Sequence, residues 1–373
     1  MVGASFTKIK DGKFRVCFDY GGKTEDGKRN WKHKTVQTKD EAVRLVTEFN
    51  YNQQRGLTVK QIDMTLADHL QYWMAKYVSN NCEETTKYGY ENIIENHIAP
   101  HLGKVMLQDV RPDMLQDYYQ LLKEKGLSAN TIRKHHQVLH KALNFALKMD
   151  RVYRNVADAV EVPKKVKFTG QSYTVQQVKD LIKSLNGETF TVAIYLALGL
   201  GLRRSEVCGL KWEHVDLENR LIHISKVRTA TAANNNIIKD TKSLKSARTL
   251  HIPGKLYEVL LAQKEWQEKR KELLGSLYHD SGYVYTRDDG ETYRVNTLSE
   301  QFPKFLEKHG LHKIRLHDLR HTFVSLVYAE SKDLKAVSEA AGHADIKVTA
   351  EIYTHMMDKT HKETTDIMGR HLE

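Results

Sequence analysis

The longest mostly apolar stretch of the chain runs from Phe190 to Leu202, 13 residues. A helix needs about 20 such residues to span a bilayer, so this stretch reads as a helix buried in a protein core. Gly199 and Gly201 close it, and Arg203, Arg204, Ser205 and Glu206 follow at once. Any fold built here must bring guanidinium groups and a carboxylate to the end of its most apolar helix. The first residues hold no apolar leader, only Phe6 and Ile9 among polar Thr7 and Lys8. A cytoplasmic protein without a membrane partner is the expectation.

That expectation turns charge into a statement about partners. The chain has 58 Lys and Arg against 47 Asp and Glu, a formal +11 over 373 residues. An excess of that size seeks a polyanion, and away from membranes the polyanion is DNA or RNA. With 28% charged residues and only 5 Pro, the chain is neither collagen-like nor largely disordered. Cys17, Cys82 and Cys208 lie far apart with no CxxC, which suggests neither a disulfide framework nor a thiolate zinc site.

The excess is uneven. Residues 1–62 carry 13 basic and 7 acidic side chains, more than half of the surplus in a sixth of the chain. There Phe14, Val16 and Phe18 alternate with Arg15 and Cys17 at strand period, and Gly21, Gly22, Asp26 and Gly27 mark a turn. Trp31 to Val36 is a second strand with Lys32 and Lys34 among its exposed residues. Thr38 and Glu41 form a capping box for a helix with Ala42, Leu45, Val46 and Phe49 on one face. A small sheet braced by one helix could lie against a nucleic-acid groove, or its cations could simply be solvated.

Residues 63–162 read as all-helical. Leu66, Leu70 and Trp73 recur at helical spacing, and Asp113 caps a helix that Gly126 ends. From Ser128 to Met149, Arg133, Gln137, Lys141, Asn144 and Lys148 share one face, with Ile132, Leu139, Leu143 and Ala146 opposite. That is a packing face backed by phosphate-contact cations, or a solvated charged face. Pro163, Lys164, Lys165 and Lys167 then break the helical period as a basic linker, 163–172. The last unit, 173–373, mixes helices with a strand stretch at Leu221 to Val227 and a hairpin from Ile237 to Ile252.

Chemistry gathers in that last unit. Arg203 ends the apolar helix with Glu206 nearby to hold it. In His317-Asp318-Leu319-Arg320, His317 and Arg320 are three apart and share a helix face. Arg offers a bidentate clamp for a phosphate, and His a donor or proton relay. Gly342-His343 and then Tyr353 follow.

The order of these motifs resembles the tyrosine recombinase family, the integrases of phages and conjugative transposons. GLRRSE at 201–206, HDLR at 317–320, GH at 342–343 and IYTH at 352–355 match its hallmarks. Thr241 to Thr249 resembles the family's KTxxSxR hairpin, which points to Lys242, with Lys239 and Lys245 as rivals; Ser243 stands where Thr is commoner. The stretches Thr86 to Tyr90, His97 to Gly103, Gly126 to Arg133 and Asn155 to Pro163 resemble the core-DNA-binding domain, and residues 1–62 the arm-site domain.

The resemblance implies a multidomain, mainly helical protein: an arm-site sheet-plus-helix domain at 1–62, a helical core-site domain at 63–162 and a mixed α/β catalytic domain at 173–373. It implies site-specific cutting and rejoining of DNA with no metal, ATP or other cofactor, integrating and excising a mobile element or prophage. Tyr353 would be the nucleophile, Arg203 and Arg320 the phosphate clamp, His317 the proton acceptor, His343 a donor to the phosphate and Lys242 the acid for the leaving 5′ oxygen. Thr86, Lys87, Arg133, Lys134, Lys141, Lys164 and Lys165 would contact DNA. Partners would be double-stranded DNA, a homotetramer on it, a DNA-bending host protein and an excision or directionality factor. The segment 354–373 would dock on a neighbouring subunit.

Rival readings are a non-catalytic DNA-binding regulator on the same scaffold, a type IB-like topoisomerase and a metal nuclease. The pairs His97 with His101 and His136 with His140 have zinc spacing but lack the Glu of HExxH and any nearby Cys. Gly199 and Gly201 do not open a GxGxxG loop, because Arg204 occupies the third glycine's place.

Overall fold

The computed structural model describes residues 3–23, 29–54, 62–166, 170–231, 234, 237–240, 247–343 and 345–354. The chain divides into two compact units, residues 1–167 and 168–373. It is a multidomain, mainly helical protein with three small sheets among the described residues.

The first unit opens with an antiparallel sheet, β1 (Gly3–Lys8), β2 (Phe14–Lys23) and β3 (Arg29–Val36), followed by helix α1 (Lys39–Gln54). Strand β1 went unread in the sequence because its apolar residues are sparse. Phe6, Phe14, Phe18, Leu45 and Val46 surround buried Val16, Val36 and Ala42. The register pairs Lys32 with Phe18 and Lys34 with Val16, so both lysines stand on the helix side of the sheet. The open side instead carries Arg15, Trp31 and His33, with the Arg29 guanidinium 4.7 Å from the Trp31 ring centre.

A separate core belongs to the helices. α2 (Leu66–Trp73) passes through a π turn into α3 (Ser79–Asn81); α4 (Glu84–Ile93) passes through another into α5 (Ala99–Leu102). α6 spans Pro112–Glu124 and α7 Ala129–Lys148. The start of α6 corrects the sequence reading. Pro112 takes the first helical position and Arg111 caps, while Asp113 sits in the first turn and pairs with Arg111. In α7, Ser128 accepts a bond from the Thr131 N–H, and Ile132, Leu139, Leu143 and Ala146 are buried.

The second unit runs α8 (Val175–Ser184), α9 (Thr191–Gly199), α10 (Arg204–Gly209), β4 (Val215–Asp216), β5 (Leu221–Ile224), β6 (Lys226–Thr229), β7 (Ile237–Asp240) and β8 (Arg248–His251). It ends with α11 (Gly254–Leu274), α12 (Thr297–Lys308), α13 (Asp318–Ser331), α14 (Leu334–Ala341) and α15 (Ile346–Thr354). α9 is the apolar stretch met first in the sequence. Its Val192, Ala193, Ile194, Leu196 and Ala197 are buried, and it packs against α10, α11 and α13.

The strands correct a second expectation. Ile237 to Ile252 is not one hairpin: β7 pairs with β6, while β8 pairs with β5 in the β4-β5-β8 sheet. The stretch read as one strand, Leu221 to Val227, breaks at Ser225 so that β5 and β6 serve different sheets. Alternation predicts a strand's faces but not its partner, which is a long-range choice.

Candidate active site

The arginine, histidine and glycine-histidine motifs meet through backbone carbonyls. Gly201 has φ of 62°, a left-handed conformation that turns the chain out of α9. A Cβ there would lie 2.5 Å from the Phe323 ring on α13. That close approach lets Arg320 of α13 donate from Nη1 to the Gly201 carbonyl at 2.6 Å. Arg203, two residues later, caps α10 and donates from Nη2 to the Gly342 carbonyl at 2.6 Å. Gly342 ends α14 with φ of 67° and turns the chain toward His343. Arg320 of HDLR thus holds the backbone of the GLRRSE motif, and Arg203 of GLRRSE that of the GH motif.

Glu206 explains how arginines can crowd here. Only 1% exposed, it accepts from the Arg203 N–H at 2.8 Å and from Arg203 Nη1 at 2.8 Å. On its other side Arg248 of β8 donates from Nη1 and Nη2 at 3.2 and 3.1 Å. Burial alone would raise the Glu206 pKa, but the bonds and charge of Arg248, with Arg203, bring it below the usual carboxylate value.

Arg320 is 1% exposed, and its Nη2 is buried with no hydrogen-bond partner among the described residues. Burial first, then the fields of Arg203 and Arg248 against that of Glu206, push its pKa down to about 9. A buried guanidinium with an idle N–H beside a second arginine is a socket for an anion.

The histidines around it are held neutral. Desolvation, then Arg320 and Arg203, push His343 down to about 3, and its Nδ1 shares a 2.7 Å bond with the Thr349 hydroxyl of α15. His317 stands at the start of α13 and is exposed at its surface; desolvation by the groups around it, then His321, Arg320 and Arg315, push it down to about 4. Asp318 beside it is buried and anchors the helix start by accepting from Arg315 Nη2 at 2.7 Å and its N–H at 2.8 Å. The His321 ring stands edge-to-face on His317, with centres 4.9 Å apart. A cleft lined by Arg203, Arg204, Ser205, Thr229, Ser299 and His317 opens beside the cluster.

The structure therefore brings Arg203, His317, Arg320 and His343 together. α15 carries Tyr353 in its last turn, four residues after Thr349. Lys242 and its rival Lys245 lie outside the described residues, while Lys239 lies in β7 opposite Val227 of β6. The segment 355–373 is also outside them.

Arg248 is the residue that sequence reasoning quoted but gave no role. Its strand held the signal: Arg248, Leu250 and Ile252 share a parity, and Ile252 is fully buried. An arginine on the core-facing register needs a buried acid.

In the helical part, Thr86 and Lys87 lie half-buried on α4, with Lys87 4.0 Å from Glu91. On α7, Lys134 is exposed and Lys141 donates to the Tyr90 hydroxyl at 2.9 Å. Arg133 donates to the Pro163 carbonyl at 2.9 Å, and Asn130 exchanges bonds with the Val166 backbone. These clips hold the exposed Lys164 and Lys165 beside α7. The histidine pairs have other uses: His101 Nδ1 bonds the His97 carbonyl, His136 bonds Tyr119 and His140 pairs with Asp158 at 2.8 Å.

Residues 171–360 match the phage integrase family, and residues 65–123 the N-terminal SAM-like domain of phage integrases. A tyrosine recombinase XerC-like protein of Caldanaerobacter subterraneus is 28% identical, over 94% of this chain and 95% of its own. The ICEBs1 integrase of Bacillus subtilis is 26% identical over 97% and 98%. Among solved structures, a Tn1549 transposon integrase in complex with a circular intermediate DNA superposes with a TM-score of 0.67 at 22% identity, covering 82% of this chain and all of that one. A lambda integrase dimer bound to a core site superposes at 0.59 with 17% identity, over 93% and 94%. At these identities the superpositions speak to fold.

Proposed function

Because the chain belongs to the phage integrase family, we propose that Arg203, Lys242, His317, Arg320, His343 and Tyr353 carry its DNA strand exchange. The protein is a tyrosine-type site-specific recombinase, which breaks and rejoins DNA for a mobile element. The observation that supports this assignment of residues is the convergence of Arg203 and Arg320, each tied to the backbone of another motif, with Arg320 Nη2 buried and without a partner among the described residues.

In this reading the scissile phosphate settles between the two guanidinium groups, which bind its non-bridging oxygens. They offset the charge that grows as phosphorus becomes five-coordinate. A free phenol has a pKa of about 10, so the Tyr353 hydroxyl must lose a proton to attack. His317, neutral at pH 7, accepts it. The new bond joins the tyrosine oxygen to phosphorus, the bond to the 5′ oxygen breaks, and Lys242 returns a proton to that oxygen. The products are a 3′-phosphotyrosine link and a free 5′ hydroxyl. His343, when its Nδ1 accepts from Thr349, keeps the proton on Nε2 and donates it toward the phosphate. The link retains the phosphodiester's energy, so a partner strand's hydroxyl reverses the step.

The finer partners follow the same reading. The small sheet domain at 1–62 binds accessory arm sites with its open face, and residues 63–162 bind the core site through Thr86, Lys87, Arg133, Lys134, Lys141, Lys164 and Lys165. Four subunits act together on DNA in the cytoplasm, with a DNA-bending host protein and a directionality factor as assistants. The test is a nicked duplex spanning the joined ends of the DNA element that holds the gene. Wild type forms an adduct that survives denaturation, and Tyr353→Phe forms none. No adduct in wild type, or an adduct in Tyr353→Phe, contradicts the assignment.

A further inference from the structure

We infer that Arg248 is a positioning residue for strand cleavage, setting both the charge and the geometry of the Arg203–Arg320 phosphate clamp through Glu206 and the turn before His343. The inference rests on the recombination reading above. Arg248 opens β8, and its side chain is 8% exposed. Its guanidinium makes three kinds of contact at once. Nη1 and Nη2 grip the two oxygens of Glu206 at 3.2 and 3.1 Å. Nε donates to the Ala340 carbonyl at 2.8 Å. Its face lies so close under Gly342 that a Cβ there would come within 2.7 Å of Nη1. Arg248 therefore touches the acid that orients Arg203 and the end of the helix whose next turn presents His343.

Charge gives the arrangement its purpose. Glu206 facing Arg203 alone would offset that guanidinium and leave only the charge of Arg320, which matches the ground-state phosphodiester and no more. Arg203 and Arg248 share Glu206 while Arg320 stands within its field, so three guanidinium groups face one carboxylate and the cluster keeps a net charge of +2. A phosphodiester in its ground state carries one negative charge, and its transition state develops more. The surplus cation thus favours the transition state over the bound substrate. Geometry adds to this: Arg203 Nη2 and Arg248 Nε hold carbonyls two residues apart, Gly342 and Ala340. Loss of Arg248 frees one end of the turn that presents His343.

The test uses the full chain and the nicked duplex described above, in single-turnover cleavage at saturating protein. Adduct formation by Arg248→Gln falls by about 100-fold or more, because a clamp charge and a fixed orientation are both lost. The protein concentration for half-saturation of the same duplex stays within about threefold of wild type, the signature of an effect on the chemical step. Arg248→Lys restores the charge but not the planar fork, and recovers only part of the lost rate. Cleavage at the wild-type rate in Arg248→Gln overturns the inference, as does a rate loss matched by an equal loss of DNA affinity. Where thermal unfolding shows that Arg248→Gln no longer folds, Arg248→Lys carries the test. A drop of about tenfold with DNA affinity retained supports the inference, and a wild-type rate overturns it. Wild type itself failing to form adduct overturns the recombination reading, and this inference with it.

Discussion

At the scale of single residues, the site depends on two glycines as much as on its charged groups. Gly201 has no room for a Cβ, and its carbonyl is the partner of Arg320. Gly201→Ala is expected to cost about 2 kcal/mol of stability from backbone strain, read by thermal unfolding. It is also expected to slow adduct formation by more than that loss implies, because the Arg320 guanidinium shifts with the carbonyl. Arg320 itself is the group with an idle buried N–H. Arg320→Ala should slow cleavage by roughly 100- to 1,000-fold at saturating DNA, the scale for removing one preorganised donor from a developing charge. An Arg320→Ala protein that cleaves at the wild-type rate would remove it from the clamp.

At the scale of elements, α7 begins at Ser128, whose hydroxyl caps the Thr131 N–H at 3.2 Å. Ser128→Ala should lower stability by about 1 kcal/mol and leave adduct formation by the folded protein intact. The same helix carries His135, 1% exposed and bonded through Nδ1 to the Tyr118 hydroxyl at 2.7 Å. Burial, then His97, pushes His135 down from 6.5 to about 4. Below pH 6.5 the unfolded chain takes up a proton that the folded chain refuses until about pH 4. Stability contributed by a neutral His135 is therefore complete above 6.5 and falls as pH drops toward 4. The loss is at most roughly 3 kcal/mol. Unfolding midpoints between pH 7 and 4 should flatten in His135→Gln; an unchanged slope would assign the acid sensitivity elsewhere.

Elements also show what could be read in advance. The apolar run at 190–202 announced α9, and the split faces of α7 announced its packing, because both patterns are local and repeat at the helical period. Glu206 was legible as a support for an arginine, since it lies only three positions after Arg203. Arg248 was not legible as its second partner, because it lies 42 positions away and nothing local says that β8 leaves β7 to pair with β5. The same long-range choice broke the expected hairpin. Lys32 and Lys34 are exposed, as their strand pattern suggests, but which parity meets α1 is decided by the register and could not be read from alternation.

At the scale of the whole molecule, binding to DNA should depend steeply on salt, since each neutralised phosphate releases counterions. Lys164 and Lys165 are exposed beside α7, held there by Arg133 and Asn130. Replacing both with Gln should weaken binding on every duplex alike and lower the salt slope by about 1 to 2, measured by titration from low to moderate salt. An unchanged slope would place them off the DNA. The charge surplus that first pointed to a polyanion thus becomes a countable property of named lysines.

In the reaction proposed, Tyr353 becomes joined to a DNA strand end held between Arg203 and Arg320. Mass spectrometry of the protease-digested adduct measures this directly. A single modified peptide is expected, with the nucleotide attached through its 3′ phosphate to Tyr353, and a free 5′ hydroxyl on the released strand. Attachment to any other side chain, or through a 5′ phosphate, would contradict it.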